Sequence, residues 1–485
     1  MAIGQSTDIE NGGINRHEEL EQPFIQPKRV VAHEDEDSGN TIKNGSIGMV
    51  LLSTGVAVCG SFQFGICVGY SAPSQSAIRK DLRLSITEYS MFGSILSIGA
   101  VLGAFTSGKI ADSLGRKGAM RVSSVICTAG WLAIYFAQGA ILLDIGRFLT
   151  GYGISSFSYV VPVFIAEIAP KNLRGGLATL NQLFIILGAS FTFIIGTIIS
   201  WRTLSLIAIL PCIILILGQW FIPESPRWLA KVGREEEFEV ALQRLHGKDA
   251  DVSGEKAEIQ EYIVTSQSLP KANILDLFQR RYIRSVIIGV GLMVFQQFAG
   301  INGVQFYASE TFEAAGFSGS IGTTAYACLQ VPITLLGAFL MDKSGRRVLV
   351  MVSAAGMFIG SILVGISFSL KGDGLLLDWV PILAVSGVLV YVAFFSIGMG
   401  AGPWVIMSEI FPINVKGVGG SLVVFVNWSG AWVVSYTYNS LMNWSSSGTY
   451  YLYGAVCVLT ILFVAKVVPE TKGKTLEEIQ DSLNP

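Results

Sequence analysis

Among the carboxamide side chains that stand in otherwise apolar stretches are Gln182, Gln296, Gln297, Asn302 and Asn427. A carboxamide carries both a donor and an acceptor without charge. An unmet polar group in a dry site costs about 1 to 3 kcal/mol, so these amides either tie helices to one another or receive the hydroxyl groups of a neutral solute. Trp404 directly follows the run Gly398, Gly400, Gly402 and Pro403. Its ring can cover an apolar C–H face and its N–H can reach a hydroxyl, although a tryptophan there also serves as core filler or interface anchor. Gly300 and Gly303 flank Asn302. Both glycine runs are poor helix formers and predict helix breaks, which are tolerated at membrane depth only where the freed backbone faces a cavity or other protein.

Charge inside the apolar stretches is rare. Arg147 is the notable case, with Asp144 three residues before it on the same helical face. The spacing lets the two neutralise each other, and an intramembrane ion is a functional candidate by default, so Asp144 and Arg147 are the candidates for ion coupling. Other charges fall in short motifs that occur twice. ADSLGRKG at 111–118 answers MDKSGRRV at 341–348, AEIAPKNLRG at 166–175 answers SEIFPINVKG at 408–417, and PESPR at 223 answers PETKG at 469. The offsets are 230, 242 and 246 residues. A parallel duplication of this kind marks two-domain transporters.

The elements that must position these groups are membrane helices. Of 485 residues, 51% are hydrophobic and only 14% charged, a balance rare in soluble proteins. Twelve stretches are long and apolar enough to cross a bilayer. The first six lie near 48–70, 89–110, 119–138, 142–165, 177–199 and 203–221; the last six near 284–308, 321–341, 348–369, 379–404, 417–438 and 450–468. With the N-terminus inside, cytoplasmic segments hold 27 of the 33 Lys and Arg residues, so both termini are expected to be cytoplasmic. The expected organisation is a disordered cytosolic tail at 1–46, a six-helix bundle at 47–221, a cytoplasmic helical linker at 222–283, a second six-helix bundle at 284–469 and a cytosolic tail at 470–485. Amphipathic patches such as REEEFEVALQRLHG supply helices for the linker.

Several classes are excluded. A net charge of −2 gives no basic surface for nucleic acid. The six cysteines all lie in apolar runs without a C-x-x-C pair, so no disulfide framework is indicated, and His17, His33 and His246 fall in polar segments, unsuited to a metal site. The acidic segment 1–46 lacks the apolar core of a signal peptide, and EQPFI at 21–25 has phenylalanine where a dileucine sorting signal needs leucine. No nucleophile elbow, phosphate loop or carboxylate pair in a polar domain supports an enzyme, and no cofactor is expected.

The chain resembles the sugar-porter family of the major facilitator superfamily over roughly residues 48–475. The resemblance rests on D-x-x-G-R-K at 112–117, GRFLTGYG at 146–153, the E-x-x-P-x-x-x-R-G run from Glu167, PESPRWL at 223–229, QQFAGIN at 296–302, DKSGRR, GPWVIMSEIFP and PETKG. Within that family it is most similar to the plant monosaccharide transporters of the early-response-to-dehydration type. The resemblance implies an all-α major facilitator fold: twelve transmembrane helices in two pseudo-symmetric bundles. It also implies a sugar cavity lined by Gln182, Gln296, Gln297, Asn302, Trp404 and Asn427. It assigns a breakable cytoplasmic seal to Asp112, Arg116, Glu167, Arg174 and Glu224 with Asp342, Arg346, Glu409 and Lys416.

Departures from the family pattern refine that expectation. Lys416 stands where arginine is usual and cannot make the two-pronged carboxylate contact. Phe306 replaces the first of two gate tyrosines, while Tyr307 keeps the second. Cys67 stands where proton-coupled relatives have an aspartate, and a thiol with a reference pKa near 8.5 is a poor proton cycler; Ser396 replaces a glutamate common in facilitators. The expected activity is low-affinity facilitated diffusion of a hexose by a monomeric unit in the plasma or vacuolar membrane. Proton-coupled sugar or polyol (inositol) transport and a non-transporting sugar sensor are the alternatives. A sensor commonly adds long signalling tails, which the 16 residues after Pro469 do not supply. The sequon at Asn443 lies in a short loop poorly placed for glycosylation.

Overall fold

A computed structural model describes residues 47–170, 173–247, 250–268, 274–412, 415–472 and 478–479. The tail expected over 1–46, with its EQPFI segment, lies outside the described residues. The first elements are α1 (Ile47–Gly69), α2 (Ser71–Leu82), α3 (Ile86–Tyr135), α4 (Ala140–Ile168), α5 (Arg174–Ile195), α6 (Trp201–Ile207) and α7 (Leu210–Gly218). Three short helices follow, α8 (Pro226–Lys231), α9 (Glu235–His246) and α10 (Ser253–Ser268). The remainder comprises α11 (Ile283–Phe298), α12 (Ile301–Phe306), α13 (Ala308–Ala314), α14 (Gly319–Ser344), α15 (Arg346–Gly372), α16 (Val380–Phe394), α17 (Gly402–Ile410), α18 (Lys416–Trp444) and α19 (Ser446–Val467).

Among the described residues, ten helical segments are long and apolar enough to cross a membrane, and Thr179–Ile195 is a shorter apolar helix. The chain is a multi-pass membrane protein. Large apolar side chains such as Leu102, Leu217 and Ile359 remain exposed, as helix surfaces facing lipid require. Helix α3 starts at a capping box, with the Glu88 N–H donating to Ser85 Oγ (3.2 Å) and the Ser85 N–H to Glu88 Oε2 (2.8 Å). Its 50 residues would measure about 75 Å if straight, far beyond an apolar layer of about 30 Å. The helix breaks at Gly115, where φ is +80°.

Small residues set the closest packing. A Cβ on Gly99 would lie 2.1 Å from the Phe148 carbonyl oxygen, and one on Gly151 would lie 2.0 Å from that of Leu96, so α3 and α4 meet backbone to backbone. Helices α1 and α5 approach in the same way at Gly65 and Gly188. In the later part α15 packs on α16 and α19, and α11 on α18. The two halves of the chain meet where α3 packs on α18 and α5 on α14. Phe105 faces Phe425 at 5.6 Å along the first seam, and Phe193 meets Tyr326 edge-on at 5.1 Å along the second.

The linker builds a small core of its own. Phe238, Ala241, Leu242 and Leu245 recur at helical spacing on one face of α9. Three of them pack with Trp228, Leu229 and Ile259. His246 Nε2 lies 3.0 Å from Glu255, joining α9 to α10.

Candidate functional site

The glycine runs break their helices as expected, but at particular residues. Gly300 takes φ +101° between α11 and α12, and a Cβ there would fall 2.5 Å from the Tyr453 ring. Only glycine satisfies both conditions. Gly303 instead lies within α12, and the next interruption comes at Tyr307. In the tenth expected span, α16 passes into a π-helical turn over Phe395–Met399 before α17 begins at Gly402. Ser353 of α15 pins this turn, donating from Oγ to the Phe394 carbonyl (2.5 Å) and accepting from the Met399 N–H (2.8 Å).

These breaks bring four of the five amides into one connected chain. Asn302 Nδ2 donates to Gln297 Oε1 in a close contact. Gln297 Nε2 donates to Asn427 Oδ1 (2.6 Å) and, more weakly, to Gln296 Oε1 (3.4 Å). Gln296 Nε2 donates to the Met399 and Gly400 carbonyls (2.6 and 3.2 Å), oxygens that the π turn leaves available. The amides therefore tie α11, α12, α18 and the π turn together. They also retain capacity: Asn302 Oδ1, Asn427 Nδ2 and Trp404 Nε1 make no hydrogen bond to a described residue, yet none is a sealed orphan. Trp404 is half-buried on α17, and Gln182, outside the amide chain, is exposed on α5. Such spare donors and acceptors can meet the hydroxyls of a neutral ligand.

Sequence reasoning missed other polar atoms of this interior. Tyr326 Oη and Gln330 Oε1 on α14, Trp432 Nε1 on α18 and Tyr453 Oη on α19 are buried without a partner among the described residues. Aromatic residues in apolar helices carry no periodic signal that separates them from core filler.

The charged motifs form two similar nodes. In the first, Arg116 is buried and grips Glu167 with both prongs, Nε to Oε2 at 2.8 Å and Nη2 to Oε1 at 2.7 Å. Its Nη1 also reaches the Ala111 carbonyl (2.9 Å) and Asp112 Oδ1 (3.4 Å). Ser225 Oγ donates to Glu167 Oε2 (2.6 Å), while Lys231 Nζ lies 3.0 Å from Asp112. Among the described residues Glu224 forms no ion pair with an arginine side chain; it accepts from the backbone N–H groups of Arg116 (3.2 Å), Lys117 (3.1 Å) and Ser225 (2.8 Å). Burial nevertheless pushes its carboxyl above the usual range.

The second node repeats this plan more loosely. Arg346 Nη2 lies 3.4 Å from Glu409 Oε1, and Arg346 Nε and Glu409 Oε2 are buried without partners among the described residues. Glu470 takes the place of Glu224, accepting from the N–H groups of Arg346 (3.0 Å) and Arg347 (3.2 Å). Its position in PETKG, against that of Glu224 in PESPR, was the signal that could have found it. Lys416 is exposed and forms no ion pair with a described residue. The side chains of Arg174 and Asp342 lie outside the described residues.

The expected neutralisation of Arg147 by Asp144 is not formed. Arg147 is fully buried and points to α1 and the start of α2: Nη1 donates to the Cys67 carbonyl (2.7 Å) and Nη2 to Ser71 Oγ (2.6 Å). Its guanidinium lies 5.1 Å from the Phe92 ring centroid. Asp144 is half-buried, and its Oδ1 has no partner among the described residues. A backbone carbonyl presents no conformational choice and sits within reach of α4, whereas the two side chains on one helix diverge.

Apolar helices broken around a chain of uncharged amides, with paired charged nodes built from duplicated motifs, define a polytopic membrane carrier. The profile of the family described as "Sugar (and other) transporter" matches residues 52–483, and the chain belongs to that family. It is similar to sugar transporter ERD6-like 16 of Arabidopsis thaliana, 66% identical over 482 residues covering 99% of this chain and 98% of that one. Sugar transporter ERD6-like 7 of the same plant is 62% identical over 437 residues, 90% and 94% of the two chains. Among solved structures, the inward open conformation of the xylose transporter XylE from E. coli superposes with a TM-score of 0.76 at 26% identity, over 89% of this chain and 99% of that one. The proton:xylose symporter XylE bound to 6-bromo-6-deoxy-D-glucose gives 0.73, also at 26% identity, over 90% and 99%. The resemblance read from the motifs, including the plant branch, is borne out. The chain is a sugar transporter and not an enzyme.

Proposed function

We propose that this protein carries a hexose such as glucose or fructose down its gradient by alternating access. The observation that carries this reading is the amide chain from Asn302 through Gln297 to Asn427, which leaves Asn302 Oδ1 and Asn427 Nδ2 without a hydrogen bond to a described residue. Among the described residues no carboxylate bonds to this amide chain, which suits an uncharged polyol ring. The break in α3 at Gly115 and the shorter apolar helix in α5 support a reading of twelve spans in two six-helix bundles, 47–221 and 284–469, joined by the linker at 222–283. The Lys and Arg bias supports cytoplasmic termini. The functional unit is a monomer, in the plasma or vacuolar membrane.

Transport is uncoupled in this reading because Arg147 is bound by a carbonyl and a hydroxyl, and Cys67 offers no carboxylate to exchange a proton. The unpartnered Oδ1 of Asp144 favours one alternative, proton-coupled sugar or inositol transport with Asp144 as carrier. Labelled glucose and fructose uptake into proteoliposomes holding the purified protein tests the proposal. Uptake that equilibrates and is lost in Trp404→Ala supports it. Binding of either sugar without any uptake contradicts it and favours a sensor.

A further inference from the structure

At the end of the molecule opposite the Arg116 and Arg346 nodes, the two halves are joined by side chains rather than by apolar contact alone. Gln75 and Arg79 of α2 both turn to one carboxylate of the other half, Glu310 on α13. The buried Gln75 Nε2 donates to Glu310 Oε2 in a close contact, and Arg79 Nη1 lies 3.7 Å from Glu310 Oε1. Beside them Asn439 Nδ2 of α18 donates to Ser90 Oγ of α3 at 2.9 Å, and both residues are buried. Tyr307 completes the closure. Its ring meets Tyr89 edge-on and stacks on Tyr438, and its hydroxyl lies so close to α3 that a Cβ on Gly93 would come within 2.7 Å.

We propose that Glu310 is a polar latch: by binding Gln75 and Arg79 across the seam, it sets how often this end of the transporter opens. The inference rests on the alternating-access reading above. The contacts to Glu310 can exist only while α2 and α13 are together, so they stabilise one state of the cycle and not the other, the condition for shifting an equilibrium. Centring both contacts on a single carboxylate makes them fail together. The Glu310 and Arg79 side chains keep 40% and 30% of their exposure, so the charge contact is screened and biases the seam without locking it. Gln75 is the better-shielded partner; among the described residues its Oε1 and the Arg79 Nε find no partner, so neither atom ties its side chain elsewhere.

The test reports opening directly. Ser97 lies seven residues beyond Ser90 on α3, on the same stripe as Gly93, and is buried. In the full-length protein, alkylation of Ser97→Cys by a membrane-impermeant maleimide, with the Ser97 parent as background, reads how often this end opens. Glu310→Ala should raise the rate about two- to fivefold, and Glu310→Gln, which keeps an amide to meet Gln75, by less. Arg79→Glu should also raise it, and the swapped pair Arg79→Glu with Glu310→Arg should return it toward the parent value. Equal rates in all variants would overturn the latch, as would a swap that fails to rescue. Alkylation needs no sugar, so a latch supported in a protein that moves no hexose would sink the transport reading alone, and an active transporter with unchanged rates would sink only the latch.

Discussion

Replacing Gln297 by alanine removes the centre of the amide chain while leaving the backbone break intact. The Cβ that alanine keeps preserves the contact with Gly430, so helices α11 and α18 retain their spacing. What is lost is the acceptor for Asn302 Nδ2 and the donor to Asn427 Oδ1. In the open, unliganded state water replaces both partners, so folding should change little. With a sugar seated and water displaced, one or two polar groups are left unmet at about 1 to 3 kcal/mol in all, which is roughly a 5- to 150-fold rise in Kd. Gln297→Glu should also weaken binding, because it removes the donor to Asn427 and adds a charge. Isothermal titration with glucose, paired with a thermal melt, gives both quantities. A Kd within twofold of the parent, with a lowered Tm, would refute the reasoning and leave Gln297 as a helix tie.

Two further outcomes are expected. Gly115→Ala places a methyl 2.5 Å from Glu224 Oε2 at φ +80°, so it should destabilise the protein by about 1 to 3 kcal/mol and lower Tm, with Gly345→Ala, 2.8 Å from Glu470 Oε2, a milder second-half counterpart. The His246 imidazole is held above its ordinary pKa, chiefly by its hydrogen bond to Glu255. The bond therefore stabilises the α9–α10 contact fully below a pH of about 6.5 and is lost as pH rises through the elevated value. Amide exchange across α9 and α10 should quicken with pH, beyond intrinsic chemistry, and His246→Gln should remove that excess.

Much of this was legible in the residues. Duplicated motifs fix which ends of which helices carry charge, and Gly300 and the Gly398–Pro403 run mark where helices must break. Their chemistry is local, so sequence shows it. Arg147 was read poorly for the opposite reason: its neighbour in the sequence is Asp144, but its bonds go to Cys67 and Ser71, about 80 residues away. Glu470 was visible as an echo of Glu224, yet its role as a backbone cap depends on a positive-φ glycine at 345 that spacing does not report. Glu310 lacked any signal, because Gln75 and Arg79 join it only through the packing of the two halves.

Accumulation of labelled glucose in proteoliposomes with an alkaline interior tests uncoupled hexose transport most directly. Internal glucose should level at the external concentration, at the same plateau with and without the pH gradient. A plateau several-fold above the external concentration, collapsed by a protonophore, would contradict uniport and make Asp144 the residue to substitute next.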